Sequence, residues 1–231
     1  MTYQHRDVAG QDIALPVGKV VCIGQNYQDH IAEMNSKTAP DALFFIKPET
    51  ALVPFAAEFA IPLQHGEVHN ETELAVLLKA PLRAASPAQV LSAIWGVGLA
   101  LDLTLRTVQA QQKQLGRPWE IAKGFDGACP MGPLVPLEAI DDVQALRFAL
   151  DVNGQRRQTG DARLMIRGIC QMNSEMSHWF TLKAGDLILT GTPAGVGPLH
   201  AGDMLTLSLD GFYTLTSTVS STSSLTALRA E

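Results

Sequence analysis

Glu71 and Glu73 stand two residues apart in His-Asn-Glu-Thr-Glu-Leu (His69 to Leu74), at the head of the apolar run Leu-Ala-Val-Leu-Leu. In a strand, residues i and i+2 face one side. Both carboxylates and His69 then share a face, and Asn70, Thr72 and Leu74 take the other. Carboxylates about 7 Å apart at their Cα atoms repel each other unless a proton or a cation lies between them. A solvated polar face would also account for a bare Glu-x-Glu. Asp102 shifts the balance, because it sits inside Gly-Leu-Ala-Leu-Asp-Leu-Thr-Leu-Arg, where its neighbours are apolar. A buried charge without a partner is very costly. Asp102 could alternatively cap the helix that follows it. Three carboxylates with no cysteine nearby make an all-oxygen site, which prefers Mg²⁺ or Mn²⁺ over zinc.

Other residues have the right chemistry for a site but an ordinary reading beside it. His30 and Glu33 in Asp-His-Ile-Ala-Glu-Met are neighbours on one helical turn. Glu33 there could fix the imidazole tautomer and leave His30 as a general base near neutral pH, or the two could be an exposed pair. Lys123 in Glu-Ile-Ala-Lys-Gly-Phe-Asp-Gly reads by itself as a surface lysine with a buried stem. Asp102, Arg106 and Gln109 follow the i, i+4, i+7 spacing of one helical face. The loop Gly-Thr-Pro-Ala-Gly-Val-Gly-Pro, Gly191 to Pro198, could aim backbone N–H groups at an anion, or be a plain turn. It lacks the Gly-Lys-Ser/Thr of a phosphate loop.

The elements that must position these residues are mostly strands. Apolar runs predict strands at Lys19 to Gly24, Leu43 to Pro48, Glu73 to Ala80 and Ile94 to Thr104. A helix is expected from Arg106, stopped by Gly116. Asn153-Gly154 between alternating residues predicts a hairpin. Apolar residues at Leu164, Ile169, Met172, Met176 and Phe180 predict a helix. Lys-Ala-Gly-Asp and His-Ala-Gly-Asp each precede a strand-like run near the C-terminus. Strands outnumber helices and do not alternate with them, which points to an α+β fold.

The 231 residues are 46% hydrophobic and carry a formal charge of -6 with no basic block, which argues against nucleic acid as a partner. Cys22, Cys129 and Cys170 form no paired motif and fit reduced thiols in a cytoplasmic protein. The N-terminus lacks an apolar signal core. No run of about 18 apolar residues would span a membrane.

These motifs, with Cys-Ile-Gly-Gln-Asn-Tyr-Gln-Asp-His, Leu-Phe-Phe-Ile-Lys-Pro and Gly-Arg-Pro-Trp-Glu-Ile-Ala-Lys-Gly-Phe-Asp-Gly in the same order, resemble the fumarylacetoacetate hydrolase family. The similarity is to its short acylpyruvase, oxaloacetate decarboxylase and tautomerase members, and runs from about Lys19 to about Gly211. It implies a mixed β-sheet rolled into a sandwich-like body, with a short N-terminal segment at 1–18 and a catalytic domain at 19–231. It further implies Mg²⁺ or Mn²⁺ on Glu71, Glu73 and Asp102, a catalytic dyad of His30 and Glu33, and Lys123 as an active-site cation. Arg106, Gln109 and Thr192 would contact substrate, and a homodimer would be usual. One departure is Asp161 to Ile166, Asp-Ala-Arg-Leu-Met-Ile, where relatives often carry Thr-Ser-Asp-Met. The expected activity is metal-dependent hydrolysis of an acylpyruvate such as fumarylpyruvate or acetylpyruvate, through a pyruvate enolate. The alternatives are oxaloacetate tautomerisation or decarboxylation, or a 2-oxo-acid isomerase or decarboxylase of aromatic catabolism. A binding protein without catalysis would have no reason to keep the whole set of charged groups.

Overall fold

The computed structural model describes residues 3–35 and 41–222. Strands Val20–Gly24, Thr72–Leu78 and Ile94–Leu101 form where the sequence is apolar without interruption, and all seven residues of Thr72–Leu78 are buried. A strand covered on both faces needs no polar alternation. These three lie within a seven-stranded mixed sheet, in the order Leu43–Lys47, Val20–Gly24, Leu187–Leu189, Thr72–Leu78, Ile94–Leu101, Cys129–Pro136, Leu52–Pro54. Its neighbours are antiparallel except Val20–Gly24 with Leu187–Leu189 and Leu52–Pro54 with Cys129–Pro136. A second sheet has five strands, in the order Gln155–Asp161, Arg147–Val152, Met204–Leu209, Tyr213–Ser221, Glu58–Ile61.

Period-2 alternation divides the central strand between two cores. Leu74, Val76 and Leu78 join Phe148, Leu150, Leu205 and Leu207 of the second sheet. Ala75 and Leu77 join Ile13, Ala51, Leu52 and Leu134 on the other face, beside Tyr3, Leu15 and Val17 of the N-terminal segment. Two sheets therefore share one core, in the sandwich-like α+β arrangement expected. Burying each such Leu or Val fully contributes roughly 1.5–3 kcal/mol, which anchors the strands that flank the acidic residues.

The hairpin turns at Asn153 (φ 52) and Gly154 (φ 75), two left-handed residues as a two-residue turn demands. The helix Arg106–Leu115 ends on Gly116 in the left-handed region. The two Ala-Gly-Asp units end in different sheets, at Leu187–Leu189 and Met204–Leu209. The helix predicted from Leu164 begins only at Ile169 and runs to Trp179. Ala162–Leu164 is instead a 3₁₀ turn capped by Asp161, and Leu164 is exposed. No helix among the described residues is long and apolar enough to cross a membrane.

Candidate active site

Glu71 does not lie within a continuous strand, and the reason is topological. Val68–Asn70 belongs to a small third sheet with Gly197–Leu199 and Thr104–Leu105, and Thr72–Leu78 to the seven-stranded one. Thr72 pairs with Leu101, the last register of the large sheet. His69 pairs with Thr104 in the small one. Between them, Asp102 N donates to Glu71 O at 2.7 Å. Glu71 and Asp102 thus face each other at the step where two segments of the chain leave one sheet for another. Asp102 caps no helix, because the helix begins at Arg106 with Leu105 at its N-cap.

One ligand atom from each of Glu71, Glu73 and Asp102 lies within 4.8 Å of the others, and all three residues are buried. His69 departs from the expected shared face: it pairs with Glu67 at 3.4 Å and does not line the pocket. The pocket is lined by Glu71, Glu73, Asp102, His30, Arg106, Gln109, Lys123 and Thr192, along with Gln25, Phe45, Lys113 and Trp119. Of the site residues expected from the sequence, Glu33 alone is not in that lining.

The cations are distributed unevenly among the carboxylates. Lys123 Nζ donates to Glu71 Oε2 and Asp102 Oδ2, each at 2.7 Å. Arg106 Nη2 donates to Glu71 Oε1 at 2.5 Å and Nη1 to Gln109 Oε1 at 2.8 Å. Lys47 Nζ lies 2.8 Å from Asp102 Oδ1. Glu73 has no ion pair among the described residues. Its Oε2 accepts a 2.6 Å hydrogen bond from Gly191 N.

Burial works against every charge here, and the neighbours decide the outcome. Burial would raise the Glu71 pKa, but Lys123, Arg106 and His30 together hold it well below the usual carboxylate range. Burial would discharge Lys123, but Asp102 and Glu71 keep its pKa above that of an ordinary lysine. The two carboxylates thus favour the charged ammonium form of Lys123. Burial, then Asp102 and Glu71, push the Glu73 carboxyl well above its ordinary value. An all-oxygen donor set with one carboxylate short of a cation fits a hard divalent ion.

His30 sits in the short helix Gln28–Glu33, with Nδ1 3.3 Å from Glu33 Oε2. When Nδ1 donates to Glu33, Nε2 keeps its lone pair for the pocket that His30 lines. Glu33 Oε1 also accepts from Gly195 N at 2.9 Å, which ties the glycine-rich loop to the dyad.

Three buried side chains of this region escaped the sequence reading. Lys47, fully buried in Leu43–Lys47, holds Asp102 and donates to the carbonyls of Ala128 (3.1 Å) and Lys123. Asn26 bonds Thr190 O through Nδ2 and Arg167 N through Oδ1, both at 2.8 Å. Its backbone O also accepts from Ile166 N at 2.8 Å, at the end of the divergent 161–166 segment, a contact that asks little of the side chains there. Gln158 bonds Thr192 Oγ1, Pro193 O, Asn70 and Thr72 N. Lysine in an apolar run was the available signal for Lys47; nothing local marked the other two.

Residues 19–220 match the family model "Fumarylacetoacetate (FAA) hydrolase C-terminal". The chain is 50% identical over 218 residues to oxaloacetate tautomerase YcgM of Escherichia coli (strain K12), covering 94% of this chain and 99% of that protein. It is 39% identical to a mitochondrial oxaloacetate tautomerase of Homo sapiens, over 85% of this chain and 89% of that one. Among solved structures, fumarylpyruvate hydrolase from Pseudomonas aeruginosa in complex with Mn²⁺ and pyruvate superposes with a TM-score of 0.89 at 35% identity, covering 95% of this chain and 96% of that one. With the acidic step, the buried lysines and the histidine pair in one pocket, the chain belongs to the fumarylacetoacetate hydrolase family of enzymes.

Proposed function

We propose that this protein is a divalent-metal enzyme that forms the enolate of a 2-oxo acid, and that its leading reaction is keto–enol exchange of oxaloacetate. The observation that carries this is the convergence of three carboxylates, a fixed ammonium and a histidine on one pocket. The near full-length likeness to an oxaloacetate tautomerase supports that choice of substrate. Glu71, Glu73 and Asp102 would hold Mg²⁺ or Mn²⁺, which when bound would polarise the 2-oxo carbonyl as a Lewis acid.

The remaining chemistry falls to the chain. His30 Nε2 takes a proton from C3 of the keto form, the C2–C3 double bond forms, and the resulting imidazolium gives a proton back to the C2 oxygen, which regenerates neutral His30. The reverse path restores the keto form, so no atom is lost. Glu33 orients the imidazole and supports its charged state. Lys123 adds positive field where oxygen gathers negative charge. Arg106, Gln109 and Thr192 serve substrate binding.

Acylpyruvate hydrolysis, expected from the sequence, is the second reading, and the likeness to a fumarylpyruvate hydrolase favours it. Here His30 takes a proton from water, the hydroxide adds to the distal carbonyl, and the C–C bond breaks. The leaving pyruvate enolate regains a proton, giving a carboxylic acid and pyruvate. Oxaloacetate, acetylpyruvate and fumarylpyruvate supplied with Mg²⁺ or Mn²⁺ separate the readings, by enol absorbance and by product analysis. Faster enol loss with oxaloacetate conserved supports the tautomerase; pyruvate plus acetate or fumarate supports the hydrolase. His30→Ala should abolish hydrolysis yet harm oxaloacetate decarboxylation less, since CO₂ loss needs no attacking water. Equal loss of both with metal retained would give His30 a shared positioning role instead.

A further inference from the structure

The loop after Thr190 joins the acidic cluster to the histidine dyad through two backbone donors, Gly191 N to Glu73 and Gly195 N to Glu33. Between them, Thr192 Oγ1 lies 2.9 Å from Thr72 O and 2.8 Å from Gln158 Nε2. A carbonyl only accepts and an amide nitrogen only donates, so both bonds have a fixed direction. The hydroxyl's single proton goes to Thr72 and one of its lone pairs is taken by Gln158. That leaves no hydroxyl proton for a ligand. The Thr192 backbone N–H, by contrast, donates to no described group, although the residue is 3% exposed and lines the pocket.

Gln158 is 1% exposed and comes from the strand Gln155–Asp161 of the other sheet. Its Oε1 accepts from Thr72 N and Asn70 Nδ2, each at 2.9 Å, which fixes the orientation of the amide. Its Nε2 donates to Thr192 Oγ1 and, at 2.9 Å, to Pro193 O. All four hydrogen-bonding capacities are thus in use. The loop presses against the same strand at Gly195 (φ +99), where a Cβ would stand 1.8 Å from Arg157 O. No other residue fits there.

We propose that Gln158 is a positioning residue of the active site, which turns the Thr192 hydroxyl inward so that this residue offers a substrate carboxylate its backbone N–H. The proposal rests on the reading that the pocket binds a 2-oxo acid. Gln158→Leu should lower kcat/KM by about tenfold to hundredfold, as a small displacement of a binding group does, with Mn²⁺ affinity little changed. Thr192→Val should lower it too, and the double variant should lose no more than the worse single one, because both act through one hydroxyl. A glutamine that merely joined two sheets would give additive losses. Should Gln158→Leu fail to fold, Gln158→Glu keeps the acceptor for Asn70 and Thr72 and removes the donor, and the same loss is expected.

The direct readout is the Thr192 amide resonance in ¹⁵N-threonine-labelled protein titrated with pyruvate and Mg²⁺. It should shift in the wild type and shift less in Gln158→Leu. This reads binding even in a protein that turns over none of the substrates above, so the two proposals fail separately. A Thr192 amide unmoved by pyruvate, additive losses, or unchanged kcat/KM in both Gln158 variants would overturn the role of Gln158.

Discussion

Glu71 and Asp161 each sit between two basic groups, one pair of partners buried and the other at the surface. Glu71, with a side chain 8% exposed, is flanked by Lys123 at 2.7 Å and Arg106 at 2.5 Å. Asp161 is flanked by Arg163 at 2.5 Å and Arg147 at 3.3 Å, whose side chains are 51% and 58% exposed. Both carboxyls are held below the usual range: Glu71 against the pull of burial, Asp161 chiefly by hydrogen bonds from Arg163. The direction is shared and the meaning differs. In the buried cluster, removing one partner strands a charge that water cannot reach. On the surface, water and salt screen the pair and replace whatever is removed. Contact geometry alone would rank the two alike; burial separates them.

The sharpest break of that contrast is Lys47→Met. It leaves Asp102 one cation poorer and strips the donor from carbonyls that are also buried. A loss of about 3–5 kcal/mol in unfolding free energy is expected, read by denaturant titration. A loss under about 1 kcal/mol would place Lys47 with the surface pairs. Lys123→Met should come next. It removes a preorganised charge from the site, so kcat should fall by the equivalent of about 2–4 kcal/mol, with a smaller change in metal affinity. Unchanged turnover on every active substrate would return Lys123 to a structural role.

Asp161→Asn should have the smallest effect, with melting temperature and kcat/KM unchanged within repeat error. The sign of its pH dependence is defined. A depressed folded pKa contributes stability above the unfolded value of about 3.9, and that contribution is lost as pH falls through the folded pKa. Because both arginines that face Asp161 are more than half exposed, solvent screening keeps that loss small, and the acid-unfolding curves of wild type and Asp161→Asn should differ only slightly. A clear separation below about pH 4 would show that this exposed cluster is worth more than its surroundings allow.

The acidic cluster was legible because its signals are local. Two carboxylates at i and i+2, and an aspartate in an apolar run, each violate the pattern around them. The hairpin at Asn153-Gly154 and the end of the helix at Gly116 were legible for the same reason, since left-handed positions select few residue types. The failures are equally physical. Leu164 fits the helical period but precedes Gly168, which is the N-cap; periodicity alone does not find a helix start. His69 shares the parity of Glu71 and Glu73, yet the chain changes sheets at Glu71, and parity does not carry across such a step. Gln158 reaches Thr72 across 86 residues, and Lys47 reaches Ala128 across 81. A glutamine in a polar hairpin strand looks like surface until the partner sheet is laid over it.

The central claim is that Glu71, Glu73 and Asp102 hold the divalent ion on which turnover depends. It is tested most directly by titrating chelator-stripped protein with Mn²⁺, following bound metal and loss of oxaloacetate enol absorbance in the same samples. Activity in the wild type should be absent at the start and rise in proportion to one bound Mn²⁺ per chain, and Glu73→Gln should bind weakly and recover little. Full turnover in excess chelator with no metal detected, or Glu73→Gln behaving as wild type, would contradict the account.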